Sequence, residues 1–345
     1  MIVFFVILII IVCLGLKKSS CQDMCLKKEH TDAIKGLFIL IVFYSHIIPY
    51  LTSAGVQFSP ILDIPTNRLI CQRIGQLMVV MFLFYSGYGV TESIQIKGKD
   101  YIKSIPFKRV LSTLINYDIA IVIIFILNLI LGIHYSPKQN LLSLTAWDGI
   151  GLSNWYIFAI LYCYLATYFS FSVYKNIRIA FFFTFSLLLL YILLIVSLKG
   201  PDKSFWFNTI MAYPAGMAVS MYKKSIFSLL EKHYLLCLTV LTILFVISYH
   251  YRSINSFVYL VTSVIFAFLV FVVTYKIAIE SRILTWCGKK LFQLYIYQRI
   301  PMILLVTLFP DMVRLHPYVY VSCCLAVTIL FAFAVKPVKI NFPNS

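Results

Sequence analysis

Long apolar runs separated by short polar segments recur along almost the whole chain. Ten of them follow residue 35, and each approaches the roughly 20 residues that an α-helix needs to cross a bilayer. They extend approximately over Gly36–Thr52, Gln72–Val90, Val110–Ile133, Asn154–Val173, Ile179–Leu198, Phe205–Met221, Leu235–Tyr251, Phe257–Tyr275, Leu291–Leu308 and Pro317–Val335. The runs are continuously apolar, whereas the strands of a bilayer β-barrel alternate apolar and polar residues. The pattern therefore predicts an all-α polytopic membrane bundle of about ten transmembrane helices.

The composition agrees with this prediction. Of the 345 residues, 61% are hydrophobic and only 12% are charged. A soluble domain has roughly 45–50% apolar and about 25% charged residues, so a soluble enzyme and a disordered protein are excluded. The nine cysteines are scattered and mostly apolar in context, which is typical of small buried hydrophobic residues. Cys21 and Cys25 are too isolated to supply the four ligands of a zinc site, so we expect no metal.

The formal net charge of +17 is carried by short basic clusters. Lys and Arg concentrate before the first run, after the even-numbered runs and in the C-terminal tail. The positive-inside rule therefore predicts a multi-pass protein of the inner (cytoplasmic) membrane, with both ends of the ten-helix body in the cytoplasm. Because the clusters lie between apolar runs, we expect contacts with membrane lipids and no nucleic-acid partner.

The chain divides into a body and two short terminal segments. Residues 28–335 are predicted to form the membrane domain, and residues 336–345 a cytoplasmic C-terminal tail. Residues 1–27 contain a short apolar stretch without the basic n-region of a signal peptide. Two interpretations stay open: an additional N-terminal helix, or a translation start at Met24.

Ionisable residues inside the apolar runs are few, and each is a candidate for a functional site because charge is costly in a bilayer. His46, Asp118 and Arg299 lie on three different runs, roughly 14–17 Å from the predicted cytoplasmic end. Their common depth predicts a shared interior cavity. The alternative is a structural Asp118–Arg299 ion pair beside a buried neutral His46.

Lys35 and His46 fall on one face of the first predicted helix. Eleven residues turn the helix by about 1100°, close to three full turns, and separate the two side chains by some 16 Å. Asp32 is spaced i,i+3 from Lys35 and can pair with it. A cation at the cytoplasmic mouth and a titratable imidazole deep in the bundle could both contact a long anionic substrate.

The basic loop of residues 97–109 is a second candidate site. Its cations include Lys108 and Arg109, and they could bind phosphate groups by charge and hydrogen bonds. The alternative role of this loop is contact with lipid headgroups and control of topology.

An ordered set of motifs runs along the chain. It comprises Asp32-Ala-Ile-Lys35-Gly36 with His46 after it, Phe82–Tyr88, Phe107–Val110, Asn154–Phe158, Gly216, Trp286–Lys289 and Leu294–Tyr297. This set resembles the acyltransferase-3 family of membrane acyltransferases over about residues 28 to 335. The chain departs from the family pattern at Gln298, where many members have His, and at Ser112, where the second Arg of a cytoplasmic pair would fall.

The resemblance implies transfer of an acyl group, usually acetyl, from cytoplasmic acyl-CoA to a sugar hydroxyl of a cell-surface polysaccharide or its lipid-linked precursor. His46 would act as general base or transient acyl carrier. The other implied roles are orientation of Lys35 by Asp32 and binding of acetyl-CoA phosphates by Lys35, Lys108 and Arg109. Apart from the resemblance, Arg299 could stabilise the charge that develops on the carbonyl oxygen. Contacts with the acceptor are expected from Ser86, Tyr88, Trp155 and Asp118, and the alternative for Tyr88 and Trp155 is packing or a position at the membrane interface.

Two other classes of protein stay open. A transporter or flippase for lipid-linked sugars would also use buried His, Asp and Arg, although the inverted repeats common in transporters are not evident. A non-catalytic membrane protein would tolerate the absence of the late His. Consumption of acyl-CoA distinguishes the enzyme from both.

Overall fold

The computed structural model describes residues 2–18, 25–61, 63–70 and 75–340 of the chain, and helices dominate this part. The helices are α1 (Ile2–Gly15), α2 (Lys28–Ser53), α3 (Asp63–Leu69), α4 (Leu77–Ile105), α5 (Ser112–Ile130), α6 (Pro137–Ser143), α7 (Trp155–Val173), α8 (Ile177–Lys199), α9 (Ala212–Met221), α10 (Lys223–His250), α11 (Ser256–Lys276), α12 (Arg282–Lys289), α13 (Leu291–Tyr297), α14 (Arg299–Leu308), α15 (Pro310–Leu315) and α16 (Pro317–Ala334). A π-helical turn (Pro106–Leu111) joins α4 to α5, and a 3-10 helix (Pro201–Trp206) precedes α9. The predicted all-α bundle is confirmed.

Eight helical stretches within the described ranges are long and apolar enough to cross a membrane. They account for nine of the ten predicted runs because the second and third runs form one stretch of 54 residues, Leu77–Ile130. At 1.5 Å per residue this stretch is about 81 Å long, more than twice the thickness of the hydrocarbon core. Gly98 interrupts it with a left-handed backbone (φ 60°), which lets the chain turn. The first residue predicted for the second run, Gln72, lies outside the described residues.

The sixth predicted run is the exception, because it does not form one long helix. The 3-10 helix and the ten-residue α9 divide it. α9 packs so closely on α4 that a Cβ atom on Gly216 would lie 1.9 Å from the carbonyl oxygen of Phe84. A Cβ on Gly87 would lie 2.0 Å from the carbonyl oxygen of Tyr213. Two glycines thus allow backbone-to-backbone contact between these helices.

The N-terminal apolar stretch forms α1 and packs against α2. The ring of Phe5 lies 4.4 Å from that of Tyr44, and Leu8 is buried. After α1, strand β1 (Leu16–Lys18) pairs antiparallel with strand β2 (Ile277–Ile279). The alternative start, Met24, lies outside the described residues.

Candidate active site

A cavity of about 460 Å³ opens among α2, α4, α5, α7 and the junction of α12 and α13. Lys35, Arg109 and Lys289 contribute positive charge to its lining, and Ser86 and Tyr156 contribute hydroxyl groups. These side chains come from five separate segments of the sequence. The cavity is therefore a product of helix packing.

Lys35 enters the cavity as part of an ion pair with Asp32. Its Nζ lies 2.6 Å from Oδ1 of Asp32, and the i,i+3 spacing on α2 places the two groups on one side of the helix. The Asp32 side chain is only 2% exposed, whereas that of Lys35 is 22% exposed. Asp32 thus holds an ammonium group that still faces the cavity, and the predicted pairing is confirmed.

Arg109 and Lys108 are consecutive in the sequence, but their side chains lie in different surroundings. Arg109 lines the cavity and donates a hydrogen bond from Nε to the Tyr101 hydroxyl at 3.1 Å. Lys108 is exposed and does not line the cavity, because consecutive residues of a helical turn point about 100° apart. Lys289 takes the third cationic position, and sequence reasoning gave it no role. Lys289 directly follows Gly288 in the Trp286–Lys289 motif, and this position could have indicated a role in the site.

Aromatic rings connect this cavity with His46. Tyr156 lines the cavity, and its ring centroid lies 5.2 Å from that of Tyr295 on α13. The ring of Tyr295 lies 6.2 Å from the imidazole of His46. The rings of Tyr156 and Tyr295 thus form a chain of contacts from the cavity to the imidazole, which lies about 16 Å from Lys35 along α2.

Polar groups from two other segments lie near the His46 imidazole. Its Nε2 lies 3.5 Å from Oγ of Ser153, in the loop before α7. The Gln298 side chain lies within hydrogen-bonding reach of the ring, and the Arg299 guanidinium is near enough for its charge to act on it. Within the described ranges, Nδ1 of His46 and Nε of Arg299 are buried without a hydrogen-bond partner. Such buried orphan groups are rare in folded proteins and often mark a site for a ligand or a proton transfer.

The loop of residues 146–154 presents Ser153 to His46 and is held in an unusual conformation. Ala146 and Ile150 have positive φ angles of 57° and 36°, which L-residues rarely adopt. Four side chains donate hydrogen bonds to carbonyl oxygens of this loop. The bonds run from Asn154 to Ala146 (2.8 Å), from Lys199 to Trp147 (2.9 Å), from Tyr117 to Asp148 (3.4 Å) and from Asn128 to Ile150 (2.8 Å). Surrounding elements thus fix the loop that carries Ser153.

Arg299 lies beside His46, whereas Asp118 does not join them. No ion pair links Asp118 with Arg299 in the part of the chain that the structure describes, so the alternative of a structural pair is wrong. Asp118 follows Tyr117, whose fully buried side chain occupies the inward-facing position on α5. The neighbouring side chain points about 100° away from it. The cavity of about 460 Å³ is lined by neither Asp118 nor His46 nor Arg299, so it is not the shared cavity that their common depth predicted.

The residues expected to contact the acceptor are not assembled in one place. Ser86 lines the cavity, but Tyr88 and Trp155 do not. The Trp155 ring packs on Tyr156 and Phe205, each with ring centroids 6.3 Å apart. In the described ranges, no group of three or more His, Cys, Asp or Glu residues is arranged to hold a metal ion.

Comparison with known proteins identifies the family. A family model described as an acyltransferase domain matches residues 31–336, and this chain belongs to that family, acyltransferase-3. The match begins just before the Asp32–Lys35 pair and extends past α16, so it includes the cavity and the surroundings of His46. None of the curated proteins and none of the solved structures gives a significant match. The protein is therefore a membrane acyltransferase with several apolar helices.

Proposed function

We propose that this protein is an O-acetyltransferase that moves an acetyl group from cytoplasmic acetyl-CoA to a sugar hydroxyl of a cell-surface polysaccharide or its lipid-linked precursor. The observation that carries the proposal is the chain of ring contacts that leads from Tyr156, in the lining of the cationic cavity, through Tyr295 to the His46 imidazole. A donor with a phosphate-rich head and a reactive far end requires cations at the mouth of the site and a base deeper in the bundle. This arrangement provides both.

The donor would bind with its phosphates near Lys35, Arg109 and Lys289. Cationic side chains form strong charge-assisted hydrogen bonds with phosphate oxygens, and Arg can make two at once. The flexible arm of the donor would follow Tyr156 towards His46. Because basic residues concentrate at this end of the bundle, the positive-inside rule supports a cytoplasmic position for the cavity mouth and for both ends of the membrane domain, in the inner membrane.

The acceptor would approach from the other end. The 146–154 loop follows α5 and α6, so it lies at the opposite end of α5 from Arg109. Ser153 is buried there beside His46, and Trp155 begins the next helix with an aromatic surface that suits the apolar face of a sugar. Donor and acceptor would thus reach the imidazole from opposite sides.

In the proposed reaction, His46 takes the proton of the sugar hydroxyl while that oxygen attacks the thioester carbonyl carbon. The carbon–sulfur bond breaks, an ester forms, and the proton passes from the imidazole to the departing thiolate. Arg299 would stabilise the negative charge that develops on the carbonyl oxygen. The alternative role of His46, as a transient acyl carrier, predicts a labelled acyl-protein when donor is supplied without acceptor.

The test uses purified protein in lipid nanodiscs, labelled acetyl-CoA and glycan from the cell of origin. We expect labelled glycan with the intact protein, and a loss of at least about 100-fold for His46→Gln. His250→Gln is the matched control because His250 is exposed at the end of α10, and it should retain full activity. If the intact protein consumes no acyl-CoA in nanodiscs and instead moves lipid-linked sugar across the bilayer of sealed liposomes, the proposal fails in favour of a transporter.

A further inference from the structure

His46 and Gln298 each keep one buried polar atom without a partner. Within the described residues, Nδ1 of His46 and Oε1 of Gln298 form no hydrogen bond of standard geometry, although the Gln298 side chain lies close enough to the imidazole to act as its hydrogen-bond partner. The other imidazole nitrogen, Nε2, faces the Ser153 hydroxyl at 3.5 Å. A buried carbonyl oxygen without a donor is unfavourable, so Oε1 requires an N–H or O–H group in its neighbourhood.

The orientation of the Gln298 amide is set by its backbone surroundings. Its Nε2 group donates a hydrogen bond to the Tyr295 carbonyl oxygen at 3.0 Å, and the side chain is fully buried. The amide oxygen is therefore the end that remains available, and it can only accept. Arg299 also adjoins the imidazole, but a guanidinium carries only donors and cannot accept a proton from the ring.

We propose that Gln298 is a positioning residue that holds His46 as the neutral tautomer with its hydrogen on Nδ1. Oε1 of Gln298 accepts the hydrogen bond from Nδ1–H, and the lone pair then lies on Nε2. Because the hydrogen bond at one ring nitrogen decides the role of the other, Nε2 becomes the basic atom and faces the side from which the acceptor hydroxyl would come. Hydrogen bonds of a catalytic base are often long in the free enzyme and shorten when substrate is bound.

The fixed 146–154 loop supports the same arrangement at the other ring nitrogen, Nε2, which Ser153 faces. Lys199, which helps to hold the loop, lies 4.0 Å from the ring centroids of both Trp147 and Trp206. Ser153 is thereby kept next to Nε2, where its hydroxyl can donate to the lone pair until a sugar hydroxyl replaces it. The role assigned to Nε2 in catalysis rests on the proposed function, but the tautomer of His46 does not.

The experiment reads the tautomer directly. Protein labelled with ¹⁵N-histidine is placed in nanodiscs, and the His46 signals are identified by subtracting the spectrum of His46→Gln. We expect Nδ1–H in the intact protein. Gln298→Met has a similar length but no acceptor and should lose this preference, whereas Gln298→Glu keeps an acceptor oxygen and should retain it.

The kinetic readout distinguishes positioning from a purely structural role. Gln298→Met should lower kcat at least about tenfold, with the KM values for donor and acceptor within about twofold of the intact protein, and Gln298→Glu should restore most of kcat. An Nε2–H tautomer in the intact protein, or an unchanged kcat in Gln298→Met, would overturn the proposal. If no acyl transfer occurs but Nδ1–H is present and lost in Gln298→Met, the proposed function fails and the positioning role of Gln298 stands.

Discussion

Gly36 and Gly288 allow direct contact between the backbones of α2 and α12, because neither residue has a side chain to separate them. A Cβ on Gly36 would lie 1.8 Å from the carbonyl oxygen of Leu284, and a Cβ on Gly288 would lie 1.8 Å from that of Asp32. Lys35 directly precedes Gly36, and Lys289 directly follows Gly288. The contact therefore fixes the position of Lys289 relative to Lys35. Two of the three cations of the cavity thus depend on this close approach.

A methyl group at either glycine should disrupt the α2–α12 contact. We expect Gly36→Ala and Gly288→Ala each to lower the free energy of unfolding by about 1–3 kcal/mol or more, since a backbone oxygen cannot move as a flexible side chain can. The measurement is the thermal unfolding of detergent-purified protein. Gly89→Ala is the control, because nothing lies within 4 Å of its Cβ position. Equal unfolding temperatures for all three variants would contradict the close contact.

Removal of a cavity cation should weaken binding of the donor. Arg109→Gln and Lys289→Gln should each raise the KM for acetyl-CoA about tenfold, because each removes charge-assisted hydrogen bonds to phosphate. The KM for the acceptor should change little. Lys108→Gln removes an exposed cation outside the cavity and should leave the donor KM within about twofold. A larger effect at Lys108 than at Lys289 would show that the phosphates bind elsewhere.

Lys35→Gln should cost stability as well as donor affinity. It removes a cation from the cavity and leaves the buried Asp32 carboxylate unpaired, and an unpaired buried charge is strongly unfavourable. The double variant Asp32→Asn/Lys35→Gln should recover the unfolding temperature while the donor KM stays high. If the double variant recovers neither property, Asp32 has another role than the orientation of Lys35.

Arg299 and Asp118 should differ in their effect on turnover. Arg299→Gln removes the positive charge beside His46 and should reduce kcat about 100-fold or more, the range observed when a group that stabilises an oxyanion is lost. Asp118→Asn should leave kcat within about twofold, because Asp118 neither pairs with Arg299 nor lines the cavity. If both variants lost kcat to a similar extent, and the double variant lost no more than either single one, Arg299 and Asp118 would act as a functional pair.

The segment after α16 is held against α5 through Val338. Asn116 accepts a hydrogen bond from the Val338 N–H (2.8 Å) and donates one to its carbonyl oxygen (2.9 Å). Asn116→Ala should therefore release the segment and increase the rate of tryptic cleavage after Lys339, as followed by intact-mass spectrometry. Ser112→Ala removes a single hydrogen bond to the same carbonyl and should have a smaller effect. An unchanged rate in Asn116→Ala would mean that other contacts hold the segment.

The sequence alone predicted the bundle and most of its spans, because a helix that crosses a bilayer must satisfy its own backbone and present apolar side chains over about 20 residues. It failed at the sixth run, where a 3-10 helix precedes the short α9, which packs backbone-to-backbone on α4 at Gly87 and Gly216. It also predicted the Asp32–Lys35 pair, since residues three apart on a helix are neighbours. The apolar spans and the Asp32–Lys35 pair depend on local chain geometry, which is why the sequence could predict them.

Only the tertiary structure decided which polar groups meet. It placed Arg109 inside the cavity and Lys108 outside it, brought Lys289 from a distant motif to Lys35, and set Ser153 and Gln298 beside His46. The contacts of Lys289, Ser153 and Gln298 join residues separated by more than 100 positions, so no periodicity in the chain reports them. The hydropathy pattern determines that helices form and roughly where they end. Their relative positions depend on side-chain packing, glycine contacts and hydrogen bonds between segments, and those interactions exist only once the helices have assembled.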